Sequence, residues 1–182
     1  MIKINLGCGW RDFGEDWIHV DGGSYEHLDL VHDISKRLPF AEDLADLIYS
    51  SHVIEYFERD VIKNILMDWK RVLKPGGILR LAVPDFEAMS NLYTSGSIKI
   101  EQVLGPIFGK MKMGDSTIYH KTAYDFYSLK SLLTECGFSD VKRYNWKETE
   151  HVKHDDHSQA YIPHMDKENG TLISLNVECK KI

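Results

Sequence analysis

A chain of 182 residues with 43% hydrophobic content can bury one substantial core, and its length suits one domain better than two. It carries 22 basic against 28 acidic residues, a net charge of -6, with no long Lys/Arg run, so the electrostatic footprint of a general nucleic-acid binder is missing and a nucleic-acid partner is disfavoured. Cys8, Cys136 and Cys179 are odd in number and far apart, which fits neither a disulfide framework nor paired zinc spacing. Reduced thiols are expected. No apolar run reaches the length of a membrane span and the opening MIKINLGCGW lacks the basic and long apolar regions of a secretory signal, so a soluble cytoplasmic protein without membrane insertion is expected.

Apolar runs alternate with helical patterns, as in a βαβ fold built on a mostly parallel sheet. Ile2 to Leu6 reads as the first strand, stopping at Gly7-Cys8-Gly9, and Trp17 to Asp21 as the second. The crossover between them, Gly7 to Asp16, is near the minimum for a parallel connection, so its helix shortens to about one turn. Leu28 to Asp33 makes a third strand and Leu47 to Ser51 a fourth. From Asp60 to Leu73 the residues Val61, Ile65, Leu66, Trp69, Val72 and Leu73 recur at helical spacing until Lys74-Pro75-Gly76-Gly77 stops them. Ile78 to Val83 reads as a buried strand.

The stretch 85–127 is less regular, with five Gly and Pro breaks between Gly96 and Gly114, and is expected to be a lid or substrate-binding insertion. Ser128 reads as the N-cap of a helix that presents Leu129, Leu132 and Leu133 and closes at Gly137. Val141 to Trp146 and Thr171 to Lys180 read as the last strands, separated by a polar, His-rich loop over about 147–170.

Ligands of open α/β sheets sit at the carboxyl ends of the strands, which makes the first glycine turn the natural cofactor site. Gly7 and Gly9 lack the Cβ atoms that would block close backbone approach. A dinucleotide fingerprint wants a third glycine where Asp12 stands, and no Gly-Lys-Ser/Thr of a P-loop is present, so neither pyrophosphate motif is met. A crossover with so little helix also offers little dipole to a phosphate. Asp21, ending the second strand, can accept hydrogen bonds from both ribose hydroxyls, or else serve as a turn residue before Gly22-Gly23. Asp33 can accept from an adenine amino group, or else cap the turn into Ser35.

The run Ile4-Asn5-Leu6-Gly7-Cys8-Gly9 resembles the first motif of class I S-adenosylmethionine (SAM)-dependent methyltransferases, and Asp33-Ile34 with Leu38-Pro39-Phe40 resembles their adenine-side motif. Leu47 to Tyr56 is similar to the family's fourth-strand motif, Arg71 to Gly77 with Leu79 to Pro84 to its turn into strand five, and Leu129 to Phe138 to its helix before strand six. The resemblance implies a Rossmann-like α/β fold with a mostly parallel sheet of seven strands in the order 3-2-1-4-5-7-6, strand seven antiparallel, flanked by helices. It also implies SAM as cofactor and S-adenosylhomocysteine as product. Gly7, Cys8 and Gly9 would then approach the methionine part, Asp21 the ribose, Asp33 and Ile34 the adenine, and Ser51 and His52 the reactive end. The motif departs from the family pattern in keeping two glycines, in Asn5 where an acid is common, and in the shortened first helix.

SAM already carries an activated methyl group, so the protein's main task is alignment and exclusion of water, with a general base needed for an oxygen acceptor. His52 is the first candidate base and His120 the second. Glu55 is read as a capping residue. The run His151, His154, Asp155, Asp156, His157 and His164 raises a metal site, but His spaced by three and six cannot all share a helix face, so no metal is assigned and a polar loop folding over the acceptor, with Tyr161 as an aromatic surface, is preferred. The expected activity is methyl transfer to a small-molecule or glycan-linked acceptor; the glycan option comes from Ser174 to Glu178, which resembles small methyltransferases of surface-polysaccharide assembly. Two other readings stand beside it: a non-catalytic SAM-binding regulatory or partner protein, and a nucleotide-dependent oxidoreductase or sugar-modifying enzyme on a similar fold, against which Asp12 and the short crossover count.

Overall fold

The structure is a computed structural model that describes residues 1–114 and 116–182. Its chain order begins with β1 (Lys3–Leu6), β2 (Trp17–Asp21), β3 (Leu30–Val31) and β4 (Ala45–Ser51), followed by helix α1 (Ile62–Val72) and strand β5 (Leu73–Pro84). Helices α2 (Phe86–Thr94) and α3 (Glu101–Phe108) and the hairpin β6 (Met111–Met113) and β7 (Ser116–Ile118) fill the insertion. Helix α4 (Phe126–Glu135), β8 (Phe138–Arg143), the short pair β9 (Tyr161–Ile162) and β10 (Thr171–Leu172), and β11 (Ser174–Lys181) complete it. The main sheet has the order β3-β2-β1-β4-β5-β11-β8, with β11 antiparallel to both neighbours and the others parallel where they pair. Counted along the chain, this is the expected 3-2-1-4-5-7-6.

Side chains alternate cleanly across the sheet, as a period of two requires. One face is apolar: Ile4, Leu6, Ile48, Leu79, Leu81, Leu175 and Val177 pack against Ile65, Leu66 and Trp69 of α1 and Leu129 and Leu133 of α4. The helical spacing of α1 turns the residues named from the sequence onto this face, apart from Val61, which is exposed just before the helix. The opposite face carries Asn5, Tyr49, Arg80, Asn176 and Glu178, and on this side lie Phe13, Trp17 and Leu47. No helix covers it from the β1–β2 crossover: residues 7–16 form turns only, so the predicted shortening goes further than one turn.

The helix stop at Lys74-Pro75-Gly76-Gly77 takes an unexpected form. β5 begins at once at Leu73, opposite Ala45, and the next register pair is Leu47 with Ile78, so Lys74 to Gly77 bulge out of the strand. Gly76 has φ +77, and a Cβ on Gly77 would lie 2.8 Å from the Lys74 carbonyl oxygen, so side chains are excluded where the bulge folds back. Ser128 is not the N-cap of α4. Asp125 holds that position, its carboxylate accepting from the Ser128 N–H at 2.7 Å while the Ser128 hydroxyl accepts from the Asp125 N–H at 3.0 Å, a reciprocal capping box. β3 is shorter than predicted and β8 starts three residues early, because Gly137, with φ +79, turns α4 directly into it.

Within the insertion, Met89, Ile98 and Val103 join Ile162 and Ile173 in a small second core. Asp85 caps α2 by accepting from the Glu87 and Ala88 N–H groups, and its other oxygen binds Arg143 at 3.0 Å. Position 115, which also falls in the range 85–127, lies outside the described residues. Among the described residues, no helix is long and apolar enough to cross a membrane.

Candidate functional site

The carboxyl ends of β1, β2 and β4 meet at the glycine turn. Gly7 has φ +72, and a Cβ there would lie 2.5 Å from Val53 and 3.3 Å from Ile34, so its freedom serves packing against the segments after β3 and β4. Gly9, with φ +58, faces open space, and its N–H donates to Asp21 at 2.8 Å. The other Asp21 oxygen accepts from the Gly23 N–H at 2.7 Å. One carboxylate thus ties the first glycine turn to the second, and two amide bonds still leave it lone pairs for a further donor. Cys8 is buried with its sulfur 3.7 Å from His27 Nε2, and burial beside Asp21 pushes its thiol up to about 12, so it stays protonated.

Asp33 is exposed and accepts from the Ser35 N–H at 3.0 Å and hydroxyl at 2.6 Å, the turn-capping arrangement. Ile34 is buried beside Gly7. Ser51 ends β4, and its buried hydroxyl has no protein partner among the described residues. A buried hydroxyl without a partner is costly, which marks the place where an added ligand atom would be welcome. Ser51, Gly7 and Cys8 line a narrow cleft with Asn5, where the family commonly has an acid, and with Arg11, which the sequence did not single out. The Arg11 guanidinium donates to the Asp155 carbonyl at 3.2 Å and lies 3.4 Å from His157 Nε2.

The His-rich run is structural to a degree its polar composition hid. His151 is fully buried, stacked on Phe13 (5.5 Å, 11°) and close to Tyr49 (4.2 Å), and His154 stacks on Phe13 at 4.7 Å. Burial takes His151 down to about 4, so it is a neutral aromatic plug. Asp156 accepts the Tyr49 hydroxyl and binds Ser158, and the Asn176 side chain donates to the Ser158 carbonyl at 2.8 Å. This segment covers the sheet face that the crossover leaves without a helix, and it roofs the cleft. The Tyr161 hydroxyl accepts from Trp146 Nε1 at 3.2 Å, which ties its ring to that side chain. Among the described residues, no group of three or more His, Cys, Asp or Glu side chains is placed to hold a metal ion.

His52 follows β4 with φ +54, a conformation a non-glycine residue rarely takes. Its Nε2 is 3.3 Å from the Ser174 hydroxyl and its Nδ1 is 3.6 Å from Glu55 Oε1. Burial and the neighbouring His157 and His120 hold it well below the usual histidine range, so it is neutral near pH 7. His120 is deeper: its ring fills the space above Gly109, its Nδ1 is 3.0 Å from the Pro106 carbonyl, and its Nε2 is 3.7 Å from Glu55 Oε1. Glu55 is no capping residue. It is fully buried between the two histidines; His52 is a local i,i+3 neighbour, and only the fold brings in His120.

Residues 15–81 match the model of a methyltransferase domain family. The chain is 28% identical to the demethylmenaquinone methyltransferase of Bacillus velezensis over 138 residues, 70% of this chain and 56% of that protein. It is also 28% identical to that of Bacillus subtilis over 149 residues, 74% of this chain and 61% of that protein. The chain thus spans a little over half the length of these relatives. Among solved structures, it is similar to the Burkholderia thailandensis 1,6-didemethyltoxoflavin-N1-methyltransferase, determined with its substrate and S-adenosylhomocysteine bound. The TM-score is 0.58 at 13% identity, covering 99% of this chain and 70% of that one. A SAM-dependent methyltransferase from Archaeoglobus fulgidus gives 0.57 at 16% identity, covering 98% and 85%. At such identities the structural likeness shows the fold.

Proposed function

We propose that the chain is a class I SAM-dependent methyltransferase that binds SAM at the carboxyl ends of β1, β2 and β4 and transfers its methyl group to a small-molecule acceptor. The observation that carries this reading is the linked glycine turn: Gly7 to Gly9 bound to Asp21, beside the partnerless Ser51 hydroxyl. Asp21 would take the ribose, Ile34 and Asp33 the adenine side, Gly9 and Ser51 the methionine side, and the Arg11 guanidinium suits a carboxylate. When bound, SAM supplies an activated methyl on a sulfonium, so the protein has to align, desolvate and, for an oxygen or nitrogen acceptor, receive a proton.

His52 is the group proposed to meet that proton, being neutral and beside the end of β4, with His120 behind it. The insertion over 85–127 would form one wall of the acceptor site. The relatives named above are called after demethylmenaquinone and 1,6-didemethyltoxoflavin, neither of them a glycan, which supports a small-molecule acceptor ahead of a glycan-linked one. Calorimetry with SAM and S-adenosylhomocysteine, with NAD as control, tests the cofactor. Asp21→Ala is expected to weaken SAM binding about 10-fold or more, the scale of one lost charge-assisted hydrogen bond or two. Well-folded wild-type protein that ignores SAM would sink the reading, and tight SAM binding without turnover on any acceptor would turn it into a binding protein.

A further inference from the structure

Side-chain and carbonyl partners place the ring hydrogens of His52 and His120, with the His157 backbone carbonyl a further acceptor facing His52 and the Tyr124 hydroxyl near Glu55 without a partner among the described residues. The Asn176 amide donates to the Ser158 carbonyl at 2.8 Å, so its oxygen faces Ser174 and accepts that hydroxyl at 3.0 Å. With its hydrogen used, the Ser174 oxygen can only accept from His52 Nε2, 3.3 Å away, which leaves Nδ1 of a neutral His52 bare. On the other side, a carbonyl can only accept, so His120 Nδ1 carries the hydrogen toward Pro106 at 3.0 Å and its Nε2 is bare. Both bare nitrogens point at one atom, Glu55 Oε1, at 3.6 and 3.7 Å.

An ionised carboxylate there would face two lone pairs, fully buried, with neither oxygen hydrogen-bonded by any described residue. We propose that Glu55 is held as a neutral carboxylic acid between His52 and His120 and is a positioning residue: its proton fixes His52 with N–H at Nε2, and its ionisation releases Nε2 as a base. The inference rests on the reading of His52 as the group that receives the acceptor's proton. With Glu55 ionised, the His52 hydrogen moves to Nδ1 and is held by the carboxylate. The acceptor's proton then passes to Nε2, and the resulting imidazolium is paired with Glu55. The contacts are longer than hydrogen bonds here and must tighten by several tenths of an ångström, as such contacts do when a site is loaded. The other groups facing the cluster are Tyr56 and Tyr124 against Glu55, with Arg59 acting on Tyr124, and His157 and Arg11 against His52.

Nitrogen-15 NMR of the imidazoles, with the Glu55 carboxyl carbon followed in parallel, tests this on protein alone. At pH 7 His52 is expected as the Nε2–H tautomer with Glu55 protonated; on raising pH the carboxyl titrates with a midpoint near 8 and the His52 tautomer inverts in step. In Glu55→Gln neither change occurs between pH 6.5 and 9. An Nδ1–H tautomer at pH 7, an ionised carboxyl at pH 7, or identical titrations in both proteins would overturn the proposal. Given an oxygen or nitrogen acceptor, kcat in the wild type should fall about tenfold per unit below the midpoint while KM for SAM stays level, and in Glu55→Gln it should be low and flat. Failure to find any acceptor would touch the methyl-transfer reading and leave the NMR result standing.

Discussion

Replacing Phe13 with Ala lowers the unfolding free energy by about 3–5 kcal/mol, the scale of a buried aromatic removed without collapse of its site. Phe13 is 5% exposed and stands against five rings: Trp17 (5.4 Å, edge-on), His19 (6.4 Å, edge-on), Tyr49 (5.8 Å), His151 (5.5 Å) and His154 (4.7 Å). Two of these come from the segment that roofs the cleft, so the same substitution should also speed proteolytic cleavage within 151–159. Urea unfolding curves for wild type, Phe13→Ala and Phe13→Leu check this, with Leu recovering a good part of the loss. A change below about 1 kcal/mol for the Ala variant would mean that the roof is held by its polar contacts alone.

Stability should peak near pH 6.5 and decline toward pH 8, although the buried histidines with lowered values push it the other way at lower pH. His151 drops from 6.5 to about 4, and His19, His52 and His120 are lowered as well, by burial in each case. The unfolded chain therefore binds protons below pH 6.5 that the folded one refuses, and stability rises with pH through that window. Glu55 acts in the opposite sense: burial raises it from 4.5 to about 8, so the folded chain keeps a proton the unfolded chain has released. Its contribution is fully present below 4.5 and is lost as pH rises to 8, at up to about 1.4 kcal/mol per pH unit. Between 4.5 and 6.5 the two effects oppose each other; above 6.5 the Glu55 loss stands alone. Glu55→Gln should therefore show a plateau from pH 6.5 to 8 where wild type declines. Parallel melting-temperature profiles of the two proteins across that range would contradict the burial of a protonated Glu55.

Local patterns carried most of the fold. The Trp17–Asp21 strand was found to the residue because its edges are marked, by Asp16 before and Gly22 after, and α1 because apolar spacing repeats over three turns. The start of α4 is legible only in part: Ser128 marks the helix end in sequence, but the cap is Asp125, three residues before it. The glycine turn and Asp21 were also visible as strand-end residues. Other features have no local signature. Glu55 meets His120 across 65 positions, where the returning insertion bonds the Glu55 carbonyl through the Lys121 N–H, and a polar run such as His151 to Gln159 gives no hint that four of its members, His151, Asp156, Ser158 and Gln159, are buried. Their burial is possible because each of the last three has a hydrogen-bond partner and the imidazole is neutral.

The cover of the sheet's second face also sets a timetable for synthesis. Phe13, Trp17 and Tyr49 leave the ribosome long before His151, and β5 before β11, the interior strand that separates it from β8. At the roughly 5–20 residues per second of translation, the nascent chain spends on the order of ten seconds with those aromatic rings and one sheet edge uncovered. During that interval they are a surface for chaperones or for other nascent chains. Variants that weaken the late segment are thus expected to lower the yield of folded protein in cells further than their equilibrium stability in the test tube would indicate.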